Sequence, residues 1–423
     1  MMMSFFVMMI FSFLNSFHII FYSFLGISFF LLFNYYGGYS DMMVYVDYFS
    51  FLLLFLSLFL FYMCLFSEKF SYFSFSMLSM MIMLLVLSFS TNNYFLFFFC
   101  FEFVFIIMFL FLFYMGSSME RLQASFYMFF YTMVFSLPFL VGLGIFQYNG
   151  FSSFFSLYFS SFNSFIVFFL FFVFLVKLPL YGLHLWLPKA HVQASLSGSM
   201  LLAGILLKLG GYGIFRFFML LDLFSYGNFL LDFIFYLSLF GGFTISLVCL
   251  RQSDLKMLIA YSSVVHMSVA LMGLLSFSQS GLLGSLLMLV SHGFISPLMF
   301  FLMTYLYNVN HSRSLFLIKG LIVLGPIYCF FWFVSCSLNL SLPPFMSFLS
   351  ELYIFSSMGA FDFFSWGVMF LLLFFSGVYC IFCYSLPSHG SYSLLVFYDF
   401  QLNKMLFSFL MSFYVFIFPF IFF

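Results

Sequence analysis

Apolar runs of about 20 residues, the length that spans a bilayer, recur along this 423-residue chain. Charged residues make up 5% of the sequence, whereas a soluble domain carries about a quarter. A lipid bilayer stabilises such runs, and within it the backbone must satisfy its own hydrogen bonds as helix. The sequence therefore predicts an all-α integral membrane protein.

Hydropathy and turn-forming residues divide the chain into transmembrane spans. Residues 1–33 are expected to be retained membrane helix, either two short helices or one long one. The total is therefore about fourteen transmembrane helices, or thirteen with a single helix at the start. The other spans are predicted at 47–66, 70–90, 94–115, 123–146, 163–186, 194–218, 229–250, 254–275, 281–305, 320–358, 363–385 and 401–422.

The basic residues test this division, because Lys and Arg collect in loops on one face of a membrane. Of the eleven, Lys177 and Lys208 lie deep within spans, and Arg216 falls on the opposite side, at the end of the span 194–218. The other eight fall in alternate loops, which predicts one positive matrix or cytoplasmic face: Lys69, Arg121, Lys189, Arg251, Lys256, Arg313, Lys319 and Lys404.

Two spans are interrupted by proline near an ionisable residue. The first reads Val176-Lys177-Leu178-Pro179, and the second reads Leu342-Pro343-Pro344 with Glu351 following. Proline frees backbone carbonyls, which membranes tolerate only where protein or water covers them. Five crossings separate the breaks, so the broken helices have opposite orientations, which is typical of an inverted-topology repeat.

This repeat predicts the domain organisation. The domains are N-terminal helices in 1–66, a first half in 67–218 with its break near 177–182, a second half in 219–385 with its break near 342–345, and a C-terminal helix in 386–423.

Five ionisable residues lie deep within spans: Glu102, Lys177, Lys208, His292 and Glu351. Glu102 lies eight residues, or about 12 Å, inside its span. Each charge at mid-membrane costs about 2.5–3.5 kcal/mol, so these groups must be paired or hydrated. A structural ion pair explains one such pair well, but five titratable groups on five helices favour a proton relay.

Three further histidines are candidate members of that relay. A hydrogen-bonded core histidine explains His266 equally well. His184 and His191 lie near the first break, where an anchoring role is at least as good an explanation as a place on a lateral pathway.

Several function classes are disfavoured. The net charge is zero and no Lys/Arg cluster could follow a phosphate backbone, so nucleic acid is not an expected partner. Cys380 and Cys383 form a CxxC, but without a second such pair they are expected to be packing residues. The sequence contains no nucleotide-binding or zinc-protease motif, so no cofactor is expected in this chain.

Three segments of the middle third carry a resemblance to a known family: Leu183–Val192 (LHLWLPKAHV), Gly198–Gly204 (GSMLLAG) and Leu207–Gly213 (LKLGGYG). They closely resemble the NADH dehydrogenase subunit 4 family. Supporting segments are Glu120–Leu122, Asp254–Lys256 with Ala260–Ser263, Ser291–Gly293, Leu342–Pro344 and Ser350–Leu352. The resemblance covers roughly residues 47–422, and it departs from the family pattern at Gln193, where a glutamate is usual.

The resemblance implies an antiporter-like, proton-translocating subunit of respiratory complex I (NADH:ubiquinone oxidoreductase) in the mitochondrial inner membrane. It implies a translocase whose partners are other membrane-arm subunits, including neighbouring antiporter-like ones, and the lipid bilayer. NADH, FMN, iron–sulfur clusters and ubiquinone would be bound by other subunits.

The resemblance also implies roles by position. Glu102 and Lys177 would form an ion pair, Lys208 would be the central relay lysine, His292 a link in the second half, and Glu351 the terminal acidic group. These are the five groups that depth in the membrane selects independently.

Two other functions remain open at this stage. A stand-alone Na⁺/H⁺ antiporter of the Mrp type would share the buried axis, so the axis alone does not decide between them. The segment 183–213 favours the respiratory subunit. If the subunit is purely structural, neutralising its buried charges would leave the coupling of electron transfer to proton translocation unaffected.

Overall fold

The protein is all helical across the residues described by its computed structural model, which are 46–68, 70–116, 119–148, 153, 164–222 and 229–390. Its α-helices are α1 Tyr48–Ser67, α2 Tyr72–Ser90, α3 Tyr94–Met115, α4 Arg121–Tyr148, α5 Ser164–Lys177, α6 Trp186–Gln193, α7 Leu196–Leu201, α8 Leu207–Asp222, α9 Phe229–Leu250, α10 Leu255–Leu275, α11 Gln279–Asn310, α12 Leu321–Leu324, α13 Pro326–Asn339, α14 Met346–Phe361 and α15 Phe363–Ser388. One turn of π-helix, Leu202–Leu206, joins α7 to α8.

The predicted spans between residues 47 and 385 are confirmed. Nine helical segments among the described residues are long and apolar enough to cross a membrane. Two further predicted spans are interrupted, 163–186 between α5 and α6 and 320–358 between α13 and α14. The helices predicted within 1–33 and at 401–422 lie outside the described residues.

Polar side chains at the membrane boundary start several of these helices. Each accepts a hydrogen bond from a backbone N–H of the first turn, which would otherwise have no partner in the helix. Such caps are Ser71 on α2, Ser195 on α7, Asp254 on α10, Ser278 on α11 and Asp362 on α15.

Contacts between loops place the predicted basic loops together at one end of the bundle. The N–H of Leu255 donates to the carbonyl of Arg313 at 3.0 Å, which joins the start of α10 to the end of α11. The ammonium of Lys256 donates to the carbonyl of Val192 at 3.2 Å, which adds the end of α6. The same end includes the start of α4, because Gln193 donates to Glu120 at 2.8 Å.

Arg216, within α8, lies at the other end of the bundle, as predicted. Its guanidinium is 2.5 Å from Asp47 at the start of α1, in the one ion pair that the described part of the chain contains. The predicted segregation of charge is therefore confirmed for the described loops. Lys69 and Lys404 lie outside the described residues.

Paired contacts reveal the inverted repeat. Asn93 forms an isolated β-bridge with Ser153, and Asp254 forms the same antiparallel bridge with Ser314. In both cases 161 residues separate the corresponding partners. Asp254 lies at the basic end, whereas Asn93 follows α2 to the opposite end. The two halves therefore repeat the same local structure in opposite orientations.

The centre of the bundle is formed by α10, α11 and the segment α7–π–α8. The span of α11 is 100% buried, and those of α10 and α7–π–α8 are 94% buried, whereas α4 and α15 are 33% buried and turn most of their surface outward. Polar groups on the central helices are therefore shielded from lipid.

Candidate functional site

Lys177 ends α5 at the first helix break, and its ammonium packs against α3. Its Nζ lies 2.9 Å from the ring centroid of Phe105 and 4.9 Å from that of Phe101. Glu102 lies on the same helix between these two rings. The amine and the carboxylate are both buried, and neither has a hydrogen-bond partner among the described residues.

Glu102 and Lys177 are thus neighbours without direct contact. The charges are close enough to interact, yet no ion pair within 4.0 Å joins them in the described structure. The face of Phe105 supports the ammonium through a cation–π contact instead.

The break after Lys177 is stabilised by a local hydrogen-bond exchange. The N–H of Leu180 donates to the carbonyl of Leu175 at 3.2 Å, one residue further back than in an α-helix. The carbonyl of Val176 is thereby freed, and the indole N–H of Trp186 donates to it at 3.1 Å. Trp186 is fully buried, so this bond covers a polar group that lipid could not solvate.

Close packing by Gly210 fixes the break against α8. A Cβ on Gly210 would lie 2.9 Å from the backbone nitrogen of Leu178 and 3.1 Å from Cβ of Lys177. The glycine therefore allows close helix packing and fixes the position of Lys177.

We expect Gly210→Ala to destabilise the assembled chain, because the new methyl group must displace backbone at the break. The cost of such overpacking is about 1–3 kcal/mol. Thermal inactivation of the purified complex measures it. Gly367→Ala is the matched control, since a Cβ there meets nothing within 4 Å. Equal inactivation temperatures for the two variants would contradict this account of the break.

Lys208 lies at the centre of the bundle, directly after the π-helix. Its Nζ donates to the carbonyl of Ala203 at 2.5 Å, and it lies 2.9 Å from Nδ1 of His292. A π-turn takes backbone carbonyls out of the regular α-helical pattern, and such turns recur at functional sites. The site holds the amine between a fixed acceptor and a titratable ring, so it can exchange a proton with His292.

His266 continues this line on α10. The centroids of the His266 and His292 rings are 5.7 Å apart. Asn339, the last residue of α13, is a neighbour of His266. The ring atom Nε2 of His266 has no hydrogen-bond partner in the described part of the chain.

Glu351 lies beyond the second break. The hydroxyl of Ser341 donates to its Oε2 at 2.6 Å. Ser341 has a φ of 55°, in the left-handed region that serine rarely adopts, so the backbone at the break is strained. Nearby, the hydroxyl of Tyr379 is buried and has no hydrogen-bond partner among the described residues.

His184 and His191 separate in the structure. The Nδ1 of His184 accepts the N–H of Gly182 at 3.3 Å, and its ring stacks on Tyr181. His191 is fully buried and stacks on Phe300 at 4.7 Å. Neither ring nitrogen of His191 has a hydrogen-bond partner within the described ranges. His191 thus lies in the central bundle, whereas His184 belongs to the break.

The sequence predicts Lys256 at a loop, but the structure buries its side chain. Its side chain is 3% exposed, and its Nζ donates to the carbonyls of Val192 and Ala194 at 3.2 and 2.7 Å. A lysine at the end of α6 suits the negative end of that helix.

Comparison with known proteins shows which family this chain resembles. Residues 91–381 match the family described as NADH:quinone oxidoreductase/Mrp antiporter, transmembrane. NADH-ubiquinone oxidoreductase chain 4 of Locusta migratoria is 42% identical over 291 residues, which are 66% of this chain and 62% of that protein. The Artemia franciscana protein of the same name is 42% identical over 275 residues, 65% of this chain and 70% of that protein. The chain thus spans less than two thirds of the locust relative.

Solved structures share the fold. A chain of respiratory complex I from Thermus thermophilus with bound NADH has a TM-score of 0.79 at 22% identity and covers 95% of this chain and 90% of its own. A chain of the membrane-bound sulfane sulfur reductase, an archaeal respiratory membrane complex, has a TM-score of 0.84 at 16% identity. The match covers 100% of this chain and 93% of that chain. A chain of the Mrp complex from Dietzia sp. DQ12-45-1b has a TM-score of 0.79 at 17% identity. The match covers 88% of this chain and 75% of that chain.

The broken helices, the buried lysines and the sequence relatives lead to one assignment. The chain belongs to the NADH:quinone oxidoreductase/Mrp antiporter transmembrane family, among its NADH-ubiquinone oxidoreductase chain 4 members.

Proposed function

We propose that this chain is a proton-translocating membrane subunit of NADH:ubiquinone oxidoreductase, located in the mitochondrial inner membrane. The observation that carries the proposal is the contact of Lys208 with His292 at 2.9 Å, inside helices that are almost wholly buried. A buried amine in contact with a buried imidazole has no packing advantage over apolar side chains of similar volume. Proton transfer requires such a pair.

The proposed relay begins at the first break. With Lys177 on the ring of Phe105, the pair with Glu102 is open. Closing the pair would neutralise the charge of the Glu102 carboxylate. It would thereby change the electrostatic potential at Lys208 on α8. Lys208 then passes a proton from Nζ to Nδ1 of His292.

His292 passes the proton on towards the second half. The ring of His266 is its next neighbour, and Glu351 beyond the second break is the terminal acidic group. His191 faces Lys208 and Lys256 and is a candidate side entry. His184, held by Gly182, is a weaker candidate for the relay.

Electron transfer occurs elsewhere in this proposal. NADH, FMN, iron–sulfur clusters and ubiquinone are bound by other subunits, and the energy of quinone reduction reaches this chain through its membrane-arm neighbours. The chain therefore contributes the translocase part of the enzyme, beside other antiporter-like subunits. The multi-subunit respiratory complexes that share its fold support this assembly.

A cation/proton antiporter is the second candidate, because a chain of an Mrp complex shares the fold. Reconstituted vesicles containing the intact complex distinguish the two functions. We expect NADH oxidation to acidify the vesicle lumen equally in sodium and potassium buffers. Acidification that requires sodium, or sodium release without NADH, would replace the respiratory assignment by the antiporter.

A further inference from the structure

Three polar residues lie on one face of α8, from the centre of the bundle to the end opposite the basic loops. Lys208, Tyr212 and Arg216 follow one another at intervals of four residues, so their side chains share a face of the helix. The helical rise places Lys208 and Arg216 about 12 Å apart along the axis. The amine of Lys208 donates back to the carbonyl of Ala203 and therefore extends away from Arg216. Tyr212 and Arg216 thus lie between the central lysine and the water at that end.

The hydroxyl of Tyr212 is held by two hydrogen bonds. It donates to the carbonyl of Phe89 at 3.0 Å and accepts from Nε of Arg216 at 2.7 Å. Phe89 lies in the last turn of α2, where backbone carbonyls have no acceptor role within the helix itself. A hydroxyl passes a proton along only if one neighbour supplies a proton and another takes one up. A guanidinium and a peptide carbonyl exchange no protons at neutral pH, so Tyr212 is not a relay group.

Aromatic rings enclose Tyr212, which is fully buried. Phe49 of α1 stacks on its ring at 5.8 Å between centroids. Phe89 of α2 and Phe97 of α3 approach the same ring at 5.2 and 5.8 Å. A buried water needs several polar partners, and these rings offer none. The four residues therefore form an aromatic collar that excludes a chain of water molecules.

Arg216 and Asp47 close this face below the collar. The guanidinium lies over the Tyr212 ring, with Cζ 4.9 Å from the centroid, and its Nη1 donates to Oδ2 of Asp47 at 2.5 Å. The side chains of Arg216 and Asp47 are 9% and 25% exposed, so the pair lies where the buried face meets water. An arginine in a protein keeps its proton. Its fixed positive charge repels a proton that approaches from Lys208.

We propose that the aromatic collar and the Arg216–Asp47 pair form a proton barrier, an inference that rests on the proposed proton-translocating function. The barrier prevents a proton on Lys208 from leaving at the end opposite the basic loops. The ring of His292, 2.9 Å from the Lys208 amine, then receives the proton instead. The barrier thus directs transfer sideways into the second half of the chain.

Arg216→Gln tests the barrier in vesicles that contain the intact complex. The substitution keeps hydrogen-bond donors but removes the charge. We expect an imposed pH gradient to decay about tenfold faster through the complex without NADH, the factor that repulsion between unit charges about 12 Å apart gives at an effective dielectric constant of about 20. Arg216→Lys keeps the charge and should restore most of the tightness. Arg251→Gln, at an exposed arginine of the basic loops, is the matched control.

A double variant distinguishes a lost barrier from loosened packing. The leak proposed for Arg216→Gln runs through the Lys208 amine, so adding Lys208→Ala should make the vesicles tight again. A leak that persists in the double variant would overturn the proposal, as would wild-type decay in Arg216→Gln. If Arg216→Gln does not assemble, Asp47→Asn decides, because it keeps the side-chain shape and releases the guanidinium. Faster decay that Lys208→Ala abolishes supports the barrier, and wild-type decay overturns it.

The pumping of Lys208→Ala complex separates this inference from the proposed function. Normal pumping by Lys208→Ala would overturn the relay as a whole. Lost pumping in Lys208→Ala, together with Arg216→Gln vesicles as tight as wild type, would overturn the barrier alone.

Discussion

Lys208→Ala is expected to reduce coupled turnover of the assembled complex to below roughly a tenth of the wild-type rate. A site that passes protons against the membrane potential must change its proton affinity by about 2.3 kcal/mol per 100 mV. Alanine offers no titratable group between Ala203 and His292. NADH:ubiquinone oxidation in sealed membranes measures the loss.

Lys319→Ala is the control for this prediction, because Lys319 is an exposed basic residue at the positive end of the bundle. It should behave almost as wild type. Wild-type turnover in both variants, with equal amounts of assembled complex, would contradict the relay role and indicate that Lys208 only packs in the bundle.

Glu102→Gln is expected to cause a loss of similar size. The substitution keeps the shape of the side chain but removes the charge towards which Lys177 would close. Coupled turnover should fall to the range of the Lys208 variant, while the chain still assembles. Glu120→Gln, an exposed carboxylate that accepts from Gln193, is the matched control.

A double variant separates the relay from a structural ion pair. Replacing a buried pair by apolar groups of similar volume is often neutral for stability. If Glu102 and Lys177 only hold helices together, Glu102→Gln combined with Lys177→Met should regain turnover lost in the single variant. The relay predicts that the double variant assembles and stays inactive. Recovery of coupled turnover would therefore contradict it.

The crossings were predictable because the bilayer imposes one physical rule along the chain. A span needs a continuous apolar run, and its ends must reach water, so charges and caps mark both boundaries. The breaks at Lys177 and Leu342 were predictable for a related reason, since proline removes a donor from the helix. The depth of Lys208 and His292 was predictable from the number of residues that separate each of them from the ends of its span.

Contacts across the bundle were beyond reach of the sequence. Nothing local indicates that Phe105 lies under the Lys177 ammonium, or that Trp186 donates to the carbonyl of Val176. Lys256 shows the limit most clearly: beside a turn it resembles a solvated residue, and only packing against the end of α6 buries it.

The number of protons pumped per electron by Lys208→Ala complex is the most direct test of the relay. Proton uptake and NADH oxidation are measured together in reconstituted vesicles, so the ratio is independent of how much complex assembles. The relay predicts that the remaining oxidation moves fewer protons per electron than in wild type. A wild-type ratio would contradict the assignment of Lys208 as a proton carrier.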